Sequence, residues 1–85
     1  MSDLKAKFEA AAQGVKKLKD DPGNEAKLQL YALFKQGTEG DATGRRPGFT
    51  DMVGRAKFDA WAKVKGQSQD EAMKNYIALV NSLGG

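Results

Sequence analysis

A glycine-rich segment in the middle of the chain places the strongest constraint on its fold. Residues 37–49 of this 85-residue sequence read GTEGDATGRRPGF, with four glycines and one proline. Because that composition does not sustain a helix or a strand, it predicts a long connection over residues 37–50. The apolar residues on both sides recur at helical rather than alternating spacing. A connection of this length leaves the relative direction of the flanking helices open.

Two helices are predicted before this connection. The first covers residues 4–19 and ends before KDDPG, where Pro22 disfavours helix at the residue that precedes it. The second runs from there to about Gln36, and the short link predicts that the two helices are antiparallel neighbours. The apolar residues that give the first helix its period are Leu4, Phe8, Ala11, Ala12, Val15 and Leu18.

Two further helices are predicted after the connection. The third covers about residues 53–65, and Gly66 beyond it can adopt the left-handed conformation of a helix C-terminus. SQDE at residues 68–71 has the spacing of a capping box at the start of the fourth helix. The sequence therefore predicts one all-α domain of four helices over residues 1–85, without internal repeats.

Cysteine and histidine are both absent from the chain. Without cysteine there is no disulfide, thiolate nucleophile or zinc–cysteine site, and a reducing cytoplasmic setting is expected. Without histidine the chain lacks the commonest general base, and a Ser-His-Asp triad is excluded. We therefore expect no enzymatic activity, no catalytic residue, no metal and no cofactor. The charged N-terminal residues and the lack of a long apolar run predict neither a signal peptide nor a membrane span.

The second helix carries an aromatic and basic face that its core does not require. At about 100° per residue, Tyr31, Phe34 and Lys35 share an arc about 100° wide. Leu30 and Leu33 lie on a different arc, which is predicted to face the core. A separate explanation is therefore needed for the two rings and the lysine.

The third helix repeats this pattern with Lys57, Phe58 and Trp61, which again lie within an arc of about 100°. For one helix alone, core rings covered by lysine stems are the simpler explanation. Two such helices favour a ligand with a planar group for stacking and a multiply charged anion, as in a nucleotide. An apolar part of that ligand would fit between helices, where Ala11 and Ala12 permit close approach.

The charged residues bear on other ligand types. The formal charge is +3, from 14 basic and 11 acidic residues, which suits an anionic partner. A small basic helical nucleic-acid-binding module stays open as an alternative, although the lysines are spread along the chain. Glu39, Asp41 and Asp51 lack EF-hand spacing and are expected to be solvated turn residues rather than metal ligands.

Three segments of the sequence resemble successive blocks of the acyl-CoA-binding proteins. They read LYALFKQGTEGD, RPGFTDMVGRAKFDAW and KGQSQDEAMKNYI, and they stand at the spacing of that family. The resemblance spans almost the whole chain. It implies a four-helix bundle with up-down-down-up topology, in which the 37–50 loop connects helices 2 and 3.

The same resemblance implies a binding site for acyl-CoA. Family residues that match Tyr31, Lys35 and Lys57 hold the 3'-phosphate of coenzyme A, and the ring that matches Phe34 packs against the adenine. Two positions depart from the family pattern, because residue 34 is often Tyr there and Phe58 stands where Trp is usual. The implied ligand-binding residues are Lys16, Tyr31, Phe34, Lys35, Lys57 and Tyr76.

The remaining implied residues lie at the two ends of the ligand. Lys16 would reach the phosphate or ribose part, and Tyr76 would close the site against the pantetheine and acyl end. Phe8, Ala11 and Val15 would border the acyl channel.

The function that the resemblance implies is intracellular binding and transport of medium- to long-chain acyl-CoA thioesters. Such a protein maintains a protected acyl-CoA pool and delivers it to enzymes. We expect a cytoplasmic monomer that contacts acyl-CoA-using enzymes transiently, binds no nucleic acid and does not insert stably into membranes.

Overall fold

The computed structural model describes residues 2–84, and within them it contains four α-helices and no β-strand. The prediction of an all-α chain is therefore confirmed. None of the helices in this range has the length and apolar character needed to cross a bilayer. The helices are α1 (Ser2–Val15), α2 (Asn24–Glu39), α3 (Met52–Lys63) and α4 (Gln69–Ser82).

The first helix is shorter than predicted, because α1 ends at Val15 rather than at residue 19. The amide of Lys17 donates to the carbonyl of Gly14 over 3.0 Å, three residues earlier. Such bonds tighten the chain into a turn and end the α-helix. Gly14 weakens the last helical turn, since glycine loses more backbone freedom on ordering than any other residue.

The second helix is longer than predicted, because α2 continues past Gln36 to Glu39. Gly37 is buried where the helices meet, and a Cβ atom there would lie 3.1 Å from Met73 Cγ and 3.4 Å from Phe8 Cζ. The absence of a side chain at Gly37 therefore permits close packing and does not break the helix.

The long connection between α2 and α3 consequently begins three residues later than predicted and covers residues 40–51. Gly40 ends α2 with a φ of 85°, in the left-handed region that favours glycine. Trp61 of α3 donates its Nε1–H to the Gly40 carbonyl over 2.8 Å. Arg46 and Asp59 add a bidentate pair at 2.8 and 2.7 Å, so both halves of the connection are fastened to α3.

Side chains cap the last two helices at their N-termini. Asp51 accepts a hydrogen bond from the Gly54 amide over 3.0 Å. Ser68 Oγ accepts one from the Glu71 amide over 3.0 Å, which is the bond that the serine of a capping box supplies. Gly66 has a φ of 98° between α3 and α4, as its position after the third helix predicts.

Cross-helix contacts show that α2 and α3 run parallel. Lys57 lies over Tyr31, and Lys35 lies over Trp61. The earlier residue of α2 contacts the earlier residue of α3, and the later residue of α2 contacts the later residue of α3. This order is the pattern of two parallel helices. Parallel neighbours cannot be joined by a tight turn, and this explains the long connection between them.

The contacts between α2 and α4 have the opposite order. Phe34 lies against Tyr76, whereas the later residue Gly37 lies against the earlier residue Met73. These two helices are therefore antiparallel. The parallel pair α2–α3 and the antiparallel pair α2–α4 agree with the predicted up-down-down-up bundle.

The helices lie side by side in the order α3, α2, α4, α1, because α2 packs on α3 and α4, and α1 packs on α4. Within residues 2–84, the backbones of α1 and α2 are not in contact. The prediction that the first two helices are neighbours is therefore wrong. They meet through the Phe8 and Phe34 rings, and these large side chains keep the two backbones apart. An opening remains between α1 and α2.

One contiguous core joins α1, α2 and α4. Its buried residues are Phe8, Leu30, Leu33, Ala72, Tyr76 and Val80. Leu30 and Leu33 face this core as their arc on α2 predicts. The helix α3 contributes a separate buried ring, Trp61, which is 7% exposed.

Candidate functional site

Three aromatic rings from α1, α2 and α4 form a cluster. Phe8 stacks on Phe34 with ring centroids 5.3 Å apart and meets Tyr76 edge-on at 5.0 Å. Phe8 and Tyr76 are buried, but Phe34 is 38% exposed. Burial raises the pKa of the Tyr76 phenol, which therefore stays neutral and able to donate a hydrogen bond. An exposed ring supported by two buried rings offers a surface on which a planar group can stack.

Two lysines lie over aromatic rings of the neighbouring helix. Lys57 Nζ is 5.4 Å from the centroid of the Tyr31 ring, and Lys35 Nζ is 5.0 Å from that of Trp61. Because Trp61 is buried, the simpler explanation of a core ring under a lysine stem holds for it. Phe58 is half-buried and packs edge-on against Trp61 at 6.4 Å. Tyr31 is half-buried and Lys57 exposed, so this pair stays accessible to a ligand.

The Lys35 ammonium is already engaged by an anion of the protein. Glu39, one turn further along α2, accepts a hydrogen bond from it. That bond raises the pKa of Lys35, so the side chain is charged at neutral pH. Both side chains are partly exposed, at 25% and 53%, and such a pair adds little to stability. A stronger anion can therefore displace Glu39 at small cost.

A groove opens between α1 and the C-terminal half of α2, with the start of α4 beside it. Its volume is about 830 Å³, within the range of small-molecule sites. Thr38 on its edge lies about 20° from Tyr31 around α2, so the groove and Tyr31 share one face of the helix. The apolar part of this α1–α2 groove is lined by Phe8, Ala12, Phe34 and Met73.

A second groove, of about 970 Å³, lies between α2 and α3. Gln29 and Leu33 in its lining are each about 160° from Tyr31 around α2, on the opposite face of the helix. Within residues 2–84, its lining includes none of the predicted ligand-binding residues. The α1–α2 groove is therefore the candidate site.

Seven of the nine predicted site residues lie outside the lining of the α1–α2 groove, and Phe8 and Phe34 belong to it. Lys16 is exposed in the turn that follows α1. Ala11 and Val15 pack against the core, and Ala12 rather than Ala11 faces the groove. The roles of these residues toward a ligand stay predictions.

Sequence reasoning missed Thr38 and Met73, which both line the groove. Thr38 belongs to the glycine-rich segment that was expected to be irregular, and the buried position of Gly37 was not visible in that composition. Met73 lies one helical turn before Tyr76, so the helical period of α4 could have placed Met73 on the same face as the predicted site residue Tyr76.

A buried glutamine holds α3 in position beside α2. Gln36 is fully buried, and its Nε2 donates to Asp41 Oδ1 over 2.7 Å and to the Gln67 carbonyl over 2.8 Å. Asp41 also accepts from the Gly66 amide over 2.9 Å. The Gly66 bond, followed by the Gln36 bond, lowers the pKa of Asp41. These bonds join the start of the long connection to the turn between α3 and α4.

The three acids expected to be solvated turn residues are exposed, but each has a partner. Glu39 lies in the last turn of α2, not in a loop, and pairs with Lys35. Asp41 accepts hydrogen bonds from Gln36 and the Gly66 amide, and Asp51 caps α3. The part of the chain that the structure describes contains no group of three or more side chains suited to bind a metal ion.

Fold and site together define a small all-α binding domain with an open groove, an exposed aromatic ring and lysines from two helices. The family model described as Acyl CoA binding protein matches residues 5–80. The chain therefore belongs to the acyl-CoA-binding protein family.

Individual relatives agree with this membership. Acyl-CoA-binding protein homolog 1 of Caenorhabditis elegans is 53% identical over 76 residues, which cover 89% of this chain and 88% of the relative. The Acyl-CoA-binding protein of Brassica napus is 52% identical over 94% of this chain and 87% of its own length. The crystal structure of Oryza sativa Acyl-CoA-Binding Protein 2 superposes with a TM-score of 0.90 at 46% identity, covering 94% of this chain and 89% of the other.

A longer protein contains a segment similar to this chain. Enoyl-CoA delta isomerase 2 of Rattus norvegicus is 53% identical over 76 residues, but these make up only 19% of its length. The similarity covers a minor part of that protein and does not make this chain an isomerase.

Proposed function

We propose that this chain binds medium- to long-chain acyl-CoA thioesters in the α1–α2 groove and carries them without chemical change. The observation that carries the proposal is the accessible Tyr31–Lys57 pair beside the exposed Phe34 ring. It combines a cation and a stacking surface on the face of α2 where the groove opens. Membership of the acyl-CoA-binding protein family supports the same ligand.

The head group is proposed to bind at the junction of α2 and α3. Lys57 is exposed over Tyr31 and can donate charge-assisted hydrogen bonds to the 3'-phosphate. Lys35 would join it by exchanging Glu39 for the phosphate. The exposed face of Phe34 would stack on the adenine, and a phenylalanine suffices because stacking needs only a ring.

The rest of the ligand is proposed to follow the groove along α1. The groove offers apolar surface from Phe8 and Ala12, while Tyr76 behind it would close the pantetheine and acyl end. Ala11 and Val15 would border the acyl channel from the core side, and Lys16 would reach the phosphate or ribose. Each buried methylene contributes up to about 0.8 kcal/mol, so chain length should dominate affinity.

In the cell, we propose a monomeric cytoplasmic carrier that protects acyl-CoA and delivers it to acyl-CoA-using enzymes through transient contacts. The lack of histidine and cysteine, which leaves no activated nucleophile, supports a role without catalysis. Sedimentation velocity tests the monomer, and incubation with palmitoyl-CoA tests the absence of hydrolysis. Microscopy of the tagged chain tests its location.

Calorimetry with four ligands tests the proposal. Palmitoyl-CoA should bind much more tightly than free CoA, and palmitate should bind poorly because it lacks the head group. Duplex DNA should not bind, since the site provides one stacking surface and no concentrated basic groove. Equal affinity for palmitate and palmitoyl-CoA would show that the head group is not recognised.

Two matched substitutions test which groove holds the ligand. Ala12 lines the α1–α2 groove and Ala60 lines the α2–α3 groove, and both are half-buried. Ala12→Leu should weaken palmitoyl-CoA binding because it fills the proposed channel, and Ala60→Leu should leave it unchanged. The reverse result would move the ligand to the α2–α3 groove.

A further inference from the structure

The start of α3 and the turn before it expose a group of apolar side chains. Phe49 and Met52 are each 77% exposed, and Val53 is 66% exposed. These three residues, here named the 49–53 patch, line neither groove and do not belong to the core. Large apolar side chains left together in water indicate an interaction surface.

The net charge of the chain is concentrated around this patch. Residues 45–57 contain four basic residues and one acid, for a net charge of +3. The rest of the chain holds ten basic and ten acidic residues and is neutral overall. The lysines are spread along the sequence, but the three arginines are clustered here, as Arg45, Arg46 and Arg55.

Two of these arginines can meet an external anion, Arg45 as an exposed side chain and Arg55 as a half-buried one. Arg46 is paired with Asp59. Within the described residues, Arg45 and Arg55 form no salt bridge. The one acid of the segment, Asp51, directs its carboxylate back to the first turn of α3 as a cap. The patch therefore presents apolar side chains flanked by two arginines that form no salt bridge within the described residues.

We propose that the 49–53 patch docks on the surface of an anionic lipid bilayer. Apolar side chains can enter the boundary between headgroups and acyl chains, while arginines pair with lipid phosphates and carboxylates. A second copy of the chain fits less well, because its own patch would bring the same positive charge. A nucleic acid would meet the arginines but leave the apolar side chains in water. This docking goes beyond acyl-CoA binding and does not depend on it.

Vesicle flotation with the full chain tests the proposal. The chain should bind phosphatidylcholine vesicles that contain about one-third phosphatidylserine, and bind pure phosphatidylcholine much more weakly. Arg45→Gln with Arg55→Gln should lower the partition coefficient about 25-fold, at about fivefold per cation. Phe49→Ser should lower it about tenfold through lost apolar contact. Arg45 and Phe49 are exposed, and Arg55 is half-buried without a salt bridge, so the variants should keep the fold.

A matched control separates the patch from net charge. Lys7→Gln with Lys74→Gln removes the same charge from exposed positions on α1 and α4 and should leave vesicle binding nearly unchanged. Equal losses in the control and in the arginine variant would overturn the proposal. So would a lack of binding to anionic vesicles, an unaffected Phe49→Ser variant, or a dimer that Phe49→Ser dissociates.

A fluorescent reporter gives a second test at the patch itself. Phe49→Trp places an indole in the exposed 49–53 patch, and the only other tryptophan, Trp61, is buried. Anionic vesicles should shift the emission of the new indole to the blue, because it leaves water for the lipid interface. Unchanged emission at lipid concentrations that float the protein would show that another surface makes the contact.

Discussion

Lys35 and Lys57 come from the same cation–aromatic pattern in the sequence, yet the structure gives them different states. Lys57 lies exposed over Tyr31, whereas Lys35 lies over the buried Trp61 and is neutralised by Glu39. The family resemblance implies that both lysines bind the 3'-phosphate, but it does not show which ammonium is free. That difference depends on the parallel packing of α3 beside α2, which helical periodicity alone does not define.

The first prediction concerns Lys57. Lys57→Ala should lower palmitoyl-CoA affinity about 10- to 150-fold, corresponding to a charge-assisted hydrogen bond of roughly 1.5 to 3 kcal/mol. Calorimetry with the thioester of 3'-dephospho-CoA is the control, because that ligand lacks the phosphate. An equal penalty for both thioesters would place Lys57 elsewhere on the ligand.

Glu39 provides a second prediction, in the opposite direction. Glu39→Gln removes the anion that competes for Lys35, so palmitoyl-CoA should bind about two- to fivefold more tightly. The gain should disappear when Lys35→Ala is added, since no ammonium is then released. A gain that survives in the double variant would mean that Glu39 repels the ligand directly and does not act through Lys35.

Asp41 gives a prediction for pH. Its pKa is lowered in the fold by the Gly66 amide and the Gln36 side chain. The stabilisation is therefore present above the unfolded-state pKa of about 4 and is lost as the pH falls through the lower folded-state value. Asp41→Asn keeps an acceptor oxygen but cannot titrate, so urea unfolding should show a shallower loss of stability on acidification. Asp20→Asn, at another exposed acid, should retain the steeper wild-type dependence.

The existence of the four helices can be predicted from the sequence, but the ends of the helices and their packing partners cannot all be predicted from it. Apolar spacing identified all four helices, and Ser68 correctly marked the start of α4. The composition places the end of α2 too early because glycine usually breaks helices, whereas Gly37 is helical and lies against Phe8 and Met73. The same limit applies to the packing of α1 on α4, since a short link constrains the distance between helix ends and not the choice of partner.

The Ser68 cap supports a prediction at this level. Ser68→Ala should lower the free energy of unfolding by about 1 kcal/mol, because the Glu71 amide loses its acceptor. Ser82→Ala is the matched control, since that hydroxyl bonds to the Leu79 carbonyl at the other end of α4 and caps no free amide. Urea denaturation measures both. Similar losses of unfolding free energy in the two variants would show that the Ser68 cap stabilises α4 no more than the Ser82 hydroxyl does.

The arrangement of the four helices in one open layer determines how a ligand can act on the fold. The Cα atoms span 36 × 31 × 15 Å, so the bundle is about half as deep as it is wide. No second layer of helices covers the α1–α2 groove within residues 2–84. A ligand in that groove would contact α1 and α2, which otherwise meet through the Phe8 and Phe34 rings.

Ligand binding should therefore stabilise the bundle through α1. Palmitoyl-CoA at about 100 times its Kd should add about 2.7 kcal/mol to the free energy of unfolding and raise the Tm by roughly 10 to 20 °C. At the same concentration, free CoA should give a smaller rise, because it leaves the apolar part of the groove unfilled. Hydrogen exchange should slow in α1 as well as in α2, since the ligand bridges them. Protection confined to α2 and α3 would show that the acyl chain does not reach α1 and would contradict the proposed path along the groove.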